Sequence, residues 1–241
     1  MSTLTPTTLV SARTAGVIYL LIIALGLFGE VFVRGSLIVA GNSVATASNI
    51  LGSELLWRVG IATDLVMHVL DVPLIVFFYL LLRPVSRSLS LLATAFNLVQ
   101  TCVLAVNKLS LVGVLSILAS NVGPTSDVFN KSLALVAVNL HSYGFGIGLI
   151  FFGSACFVRG YLIIQSGFVP KALGVLLVLA GAGYLVNSFA LLVYPPLAAA
   201  LFPAILLPAL VGELALSIWL LFTNQRSLEQ AQTRAASTVP A

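Results

Sequence analysis

Apolar residues gather in six long runs along this chain, with short polar interruptions between them. A run of about 20 apolar residues can cross a bilayer as a helix. The runs fall at about 14–33, 54–83, 89–119, 133–164, 172–193 and 197–223. The pattern predicts an all-α six-transmembrane-helix bundle forming one integral membrane domain over residues 1–223. Between the first two runs the sequence is small and polar, and Asn42 or Ser43 suits the cap of a short helix ending near Gly52. That piece is expected to lie flat at the membrane interface. Gly123-Pro124 marks a turn before the fourth run, and Tyr194-Pro195-Pro196 makes the last hairpin tight. From Asn224 onward the polar sequence reads as a disordered tail. Arg13 precedes the first run with no small-residue cleavage pattern after it, which fits a retained span rather than a cleaved leader.

Composition agrees. Hydrophobic residues make up 60% of the 241 positions and charged ones 7%, against about a quarter charged in soluble domains. The net charge of +4 does not point to nucleic acid, because the bases flank the runs. It reads as topology and contact with membrane lipids. Arg13, Arg83, Arg87, Arg159, Lys171, Arg226 and Arg234 share one side of six alternating spans, whereas Arg34, Arg58 and Lys131 share the other. The positive-inside rule then puts both termini in the cytoplasm. Glu30 with Arg34 and Glu54 with Arg58 are spaced as i,i+4 pairs and read as interfacial, worth a few tenths of a kcal/mol each. Trp57 reads as an interfacial anchor on the face of Asp64.

The second run carries Asp64, His68 and Asp71, whose i, i+4, i+7 spacing puts them on one helix face. Lys108, His141, Asn187 and Glu213 lie within other runs. At 1.5 Å per residue, all seven fall about 10 to 25 Å from the same end of the bundle. Burying Asp64, Asp71, Lys108 and Glu213 at about 2.5–3.5 kcal/mol each totals ~10 kcal/mol. That rivals a typical domain's whole stability of about 5–15 kcal/mol, so these groups must be paired, protonated or bound to a cation. Three acids against one Lys leave a positive deficit of two with both His neutral. Pro73 frees the Val69 carbonyl. Pro203, Pro208 and Gly212 make the last run irregular, as broken backbone lining a cavity would be. The candidate reacting groups are Asp64, Asp71, His141 and Glu213. His68, Lys108, Asn139, Ser142, Tyr184 and Asn187 are the candidates to line a substrate. Asn97, Gln100 and Asn107 read as interhelical hydrogen bonding.

Several stretches carry a resemblance: Ala12-Arg13 to Gly26, Phe32 to Val39, Asp64 to Asp71, Leu82-Arg83-Pro84-Val85, His141-Ser142-Tyr143-Gly144, and Gly212-Glu213-Leu214 with Trp219-Leu220-Leu221. The chain resembles, over nearly all of its length apart from the tail, bacterial multi-pass membrane proteins grouped as domain of unknown function 4386. The resemblance implies a bacterial inner-membrane location and brings no activity with it.

Three functions fit these residues. An intramembrane enzyme acting on a small lipophilic ligand, lipid or isoprenoid-like, would use protonated Asp71 or Glu213 as general acid and Asp64 or His141 as base. One acid on the second span and another on the last resembles small membrane-bound terpene cyclases in layout only. A metal version would set His141, Asp64 and Glu213 around zinc. A proton- or cation-coupled transporter would place the coupling charge on Asp64 or Glu213. A non-catalytic binding protein would simply pair its acids with Lys108. No phosphate loop, nucleophile elbow or Cys-rich motif is present, and no motif names a cofactor.

Overall fold

A computed structural model describes residues 11–120 and 126–238; Gly123-Pro124 lie outside the described residues. The described chain is all-helical, with six helices long and apolar enough to span a membrane. They run over Ala12–Leu37, Glu54–Leu82, Arg87–Leu118, Asp127–Ser166, Lys171–Val193 and Ala204–Phe222. Each span packs on its neighbours in sequence, and the sixth returns to the first, which closes a ring. Small residues allow the closest approaches: a Cβ on Gly160 would meet the Gly174 backbone carbonyl, and one on Gly174 would meet that of Gly160.

Two apolar cores cap the ring. One, with Tyr19, Phe77, Phe78, Leu162 and Leu220, lies toward the described termini. The other, with Val33, Ile50, Trp57, Ile61 and Leu111, lies toward the short helix Ser43–Gly52. That helix starts as the sequence implies, with the Asn42 side chain accepting from the Ala45 N–H. Its inner face packs on the fourth span.

Four expectations need correction. Trp57 is 1% exposed and donates its indole N–H to the Leu111 carbonyl at 3.1 Å. It shares Asp64's helix face, and that face is the protein-facing one. The sixth run is not continuous, because Pro195–Leu201 forms a separate helix before a short 3-10 turn at Ala204–Leu206. Residues 225–238 are helical rather than disordered, since Leu228 packs into the core and Gln232 donates to the Leu81 carbonyl at 2.9 Å. That bond satisfies a carbonyl that the end of the second span would leave open. The first span also departs from a plain α-helix: Phe28–Arg34 is π-helical. A π turn re-aims the side chains after it and is often found at functional sites.

Candidate functional site

Asp64 is fully buried and is held by two cations. Arg34 Nη1 lies 2.6 Å and Lys108 Nζ 2.8 Å from its Oδ2. Arg34 Nε also pairs with Glu30 at 2.8 Å, and Lys108 Nζ sits 3.3 Å from His141 Nε2. The backbone is shaped for this network. A Cβ on Gly29, within the π-helical turn, would meet Asp64 Oδ1 and the Arg34 guanidinium. Asn107 donates to the His141 carbonyl at 2.8 Å, and Gly144 leaves room for the Asn107 amide. Two acids face two bases here, and every charged group has an opposite partner within 2.8 Å.

A second polar cluster begins one to two turns along the second span, about 10 Å from Asp64 by helix rise. His68 Nδ1 lies 3.4 Å from Asp71 Oδ2, and Thr101 Oγ1 lies 3.3 Å from that same oxygen. Thr101 Oγ1 is also 3.3 Å from Gln100 Oε1, which accepts from Asn97 Nδ2 at 2.7 Å. Asn97 Oδ1 then accepts from Arg159 Nη2 at 2.6 Å. The Arg159 guanidinium stacks 4.4 Å over Phe78. Glu213 accepts from the Tyr184 hydroxyl at 2.6 Å, with Tyr19, Arg159 and Asp71 in electrostatic range. All six spans thus contribute a polar side chain. Two acids, Asp71 and Glu213, share this cluster with one Arg and with His68, which lies against Asp71. Four buried polar atoms among the described residues have no hydrogen-bond partner: His68 Nε2, Arg159 Nε, Asn187 Oδ1 and Ser188 Oγ.

The structure therefore splits the single pocket expected from the sequence. Asp64, Lys108 and His141 come together, whereas Asp71, His68, Glu213 and Tyr184 belong to the other cluster. Glu213 meets the level of Asp71 rather than that of Asp64, which lies seven residues or about 10 Å away along the second span. Among the described residues no three His, Cys, Asp or Glu side chains gather as metal ligands, so the zinc arrangement of His141, Asp64 and Glu213 is not formed. Asn139 and Ser142 are exposed on the fourth span and reach neither cluster; Ser142 Oγ bonds back to the Val138 carbonyl. Asn187 lies one turn from Tyr184 with its Oδ1 unpaired.

Sequence reasoning passed over Arg34 and Arg159, which are 7% and 4% exposed and central to the two clusters. In the sequence both look like flanking bases. The available signal was the apolar sequence on either side, Phe32-Val33 before Arg34 and Tyr161 to Ile164 after Arg159. Asn97 and Gln100, read as interhelical hydrogen bonding, join Arg159 to Asp71.

An uncharacterized protein of Archaeoglobus fulgidus is 30% identical over 120 residues, covering 49% of this chain and 59% of that protein. No solved structure matches the chain. The sequence pattern of one family, described as a domain of unknown function (DUF4386), matches residues 14–223 and takes in all six spans and both clusters. The chain belongs to that family.

Proposed function

We propose that this protein is a small cation-coupled transporter of the bacterial inner membrane, in which Asp71 and Glu213 hold the coupling charge. The observation that carries this reading is the charge balance of the six-span cluster. With His68, which lies 3.4 Å from Asp71, counted as neutral, Asp71 and Glu213 outnumber Arg159 by one, and His68 is itself a place for the extra proton. A proton or small cation would make up the difference, and a site that loads one charge can release it. Intramembrane acids of this kind mark ion and proton pathways. A supporting feature is the interruption before the sixth span that carries Glu213, since transporter sites are commonly built where helices are broken. The termini are assigned to the cytoplasm and the Ser43–Gly52 helix to the opposite interface. With Arg34 and Arg159 buried, Arg13, Arg83, Arg87, Lys171 and Arg226 on the cytoplasmic side still outnumber Arg58 and Lys131.

The test is charge displacement on a solid-supported membrane carrying reconstituted protein, after a jump in either pH or sodium. A transient above that of empty liposomes, lost in Glu213→Gln, is expected. Flat traces under both jumps would overturn the reading.

The second reading is an intramembrane acid–base enzyme acting on a lipophilic substrate. The observation favouring it is the Glu213 carboxyl held by the Tyr184 hydroxyl, with Asp71 in range as a second carboxyl. Lipid profiles of a deletion strain complemented with wild type or Asp71→Asn check it. A chemically altered lipid that both alleles restore would remove Asp71 from any such chemistry.

A further inference from the structure

We infer that the groove between the second and third spans binds one phospholipid with a phosphoethanolamine headgroup, its phosphate on Arg58 and its ammonium on Glu54. This goes beyond the ion-coupled reading above and does not depend on it. A cavity of about 420 Å³ lies there, lined from both spans and from Leu51 of the short helix Ser43–Gly52. Its polar and apolar groups are segregated along its length. Glu54 and Arg58 begin the second span and Ser116 stands near the end of the third, so all three sit at the end beside the short helix. Deeper in, the lining is Ala62, Leu65 and Val112. These three are exposed, so the groove opens sideways onto hydrocarbon rather than into the bundle. From Glu54 to Leu65 the helix rises ~16 Å. One leaflet supplies half of a hydrocarbon core about 30 Å thick. The groove therefore has the length and the polarity gradient of a single lipid in one leaflet.

The charges at the polar end select the headgroup. Arg58 Nε and Nη2 both lie against Glu54 Oε1, at 2.8 and 2.6 Å. That leaves Glu54 Oε2 to accept and Arg58 Nη1 to donate. The two side chains are 47% and 60% exposed, and an exposed pair is held so weakly that a headgroup can open it. A guanidinium grips phosphate through paired N–H donors. The site is net neutral, with its positive and negative groups one helical turn apart. It matches a headgroup that is itself net neutral, with phosphate and ammonium joined by a short ethylene linker. A headgroup carrying phosphate alone would set its charge against Glu54. Choline has both charges, but its quaternary nitrogen has no N–H to give the carboxylate, whereas a primary ammonium has three.

The experiment is native mass spectrometry of the purified full chain in detergent, with phosphatidylethanolamine, phosphatidylglycerol and phosphatidylcholine of the same acyl chains added in equal amounts. A one-to-one adduct with phosphatidylethanolamine, in excess over the other two, is expected. Arg58→Gln and Glu54→Gln change exposed side chains and should keep the fold. Each should weaken the adduct roughly tenfold, as loss of one charge-assisted hydrogen bond does. Ala62→Phe fills the apolar end and should remove the adduct. Equal adducts from all three lipids, a preference for phosphatidylglycerol, or an adduct unchanged in Arg58→Gln or Ala62→Phe would overturn the site. Charge displacement does not enter this measurement, so the lipid site and the ion-coupled reading stand or fall separately.

Discussion

The Asp64 and Asp71–Glu213 clusters sit on one helix face and are built from the same chemistry, yet they are finished differently. Around Asp64, Glu30 and Asp64 balance Arg34 and Lys108 through contacts of 2.6 to 2.8 Å. Around Asp71 the contacts lengthen to 3.3 and 3.4 Å, the acids outnumber the base, and buried atoms of His68 and Arg159 lack partners. Removing two charges from water is repaid only when geometry is close and the remaining hydrogen bonds are made. The first cluster meets that condition and acts as a rivet between spans. The second does not meet it with protein atoms alone, and a site that needs something more is a site with a ligand.

The contrast breaks most visibly at Asp64. Replacing it by Leu strands Lys108 in the interior and leaves Arg34 with Glu30 alone, and should cost about 3–5 kcal/mol, read as a large drop in thermal or denaturant midpoint. Adding Lys108→Leu should recover part of that loss. Next comes Gly29→Ala, where a methyl group would displace the Asp64 carboxylate from Arg34; overpacking of this kind costs about 1–3 kcal/mol. Glu213→Gln sharpens the comparison from the other side. It keeps an oxygen for the Tyr184 hydroxyl, so stability should move by less than ~1 kcal/mol, while charge displacement disappears. The smallest effect belongs to Arg58→Gln, whose partner Glu54 is exposed, as Arg58 itself is. Surface pairs are worth about 0.2–1 kcal/mol, and its unfolding midpoint should barely shift.

Much of the fold was legible because hydrocarbon leaves few options. Six apolar runs demanded six helices, and the Asn42 cap announced the short one. Of Asp64, His68 and Asp71, spaced i, i+4, i+7, the first two are buried and Asp71 is partly exposed. Span depth, however, gives only one coordinate. It placed Asp64, His141 and Glu213 in one slab, yet that slab is deep enough for two clusters, and Glu213 meets Tyr184 at the level of Asp71, about 10 Å along the second span from Asp64. Arg34 and Arg159 were hidden for a related reason. A base near the end of an apolar run looks like a topology signal until packing shows that its long side chain turns inward. The tail helix was illegible because its stability comes from Leu228 and Gln232 docking on distant spans.

The central claim is that one cluster fastens the bundle and the other carries an exchangeable positive charge. It is tested most directly by comparing charge displacement in proteoliposomes of Asp64→Leu/Lys108→Leu with that of Glu213→Gln, on pH and sodium jumps, with folded protein matched between samples. The account predicts a transient in the first variant and none in the second. A transient that survives in Glu213→Gln and vanishes in the Asp64/Lys108 pair would contradict it.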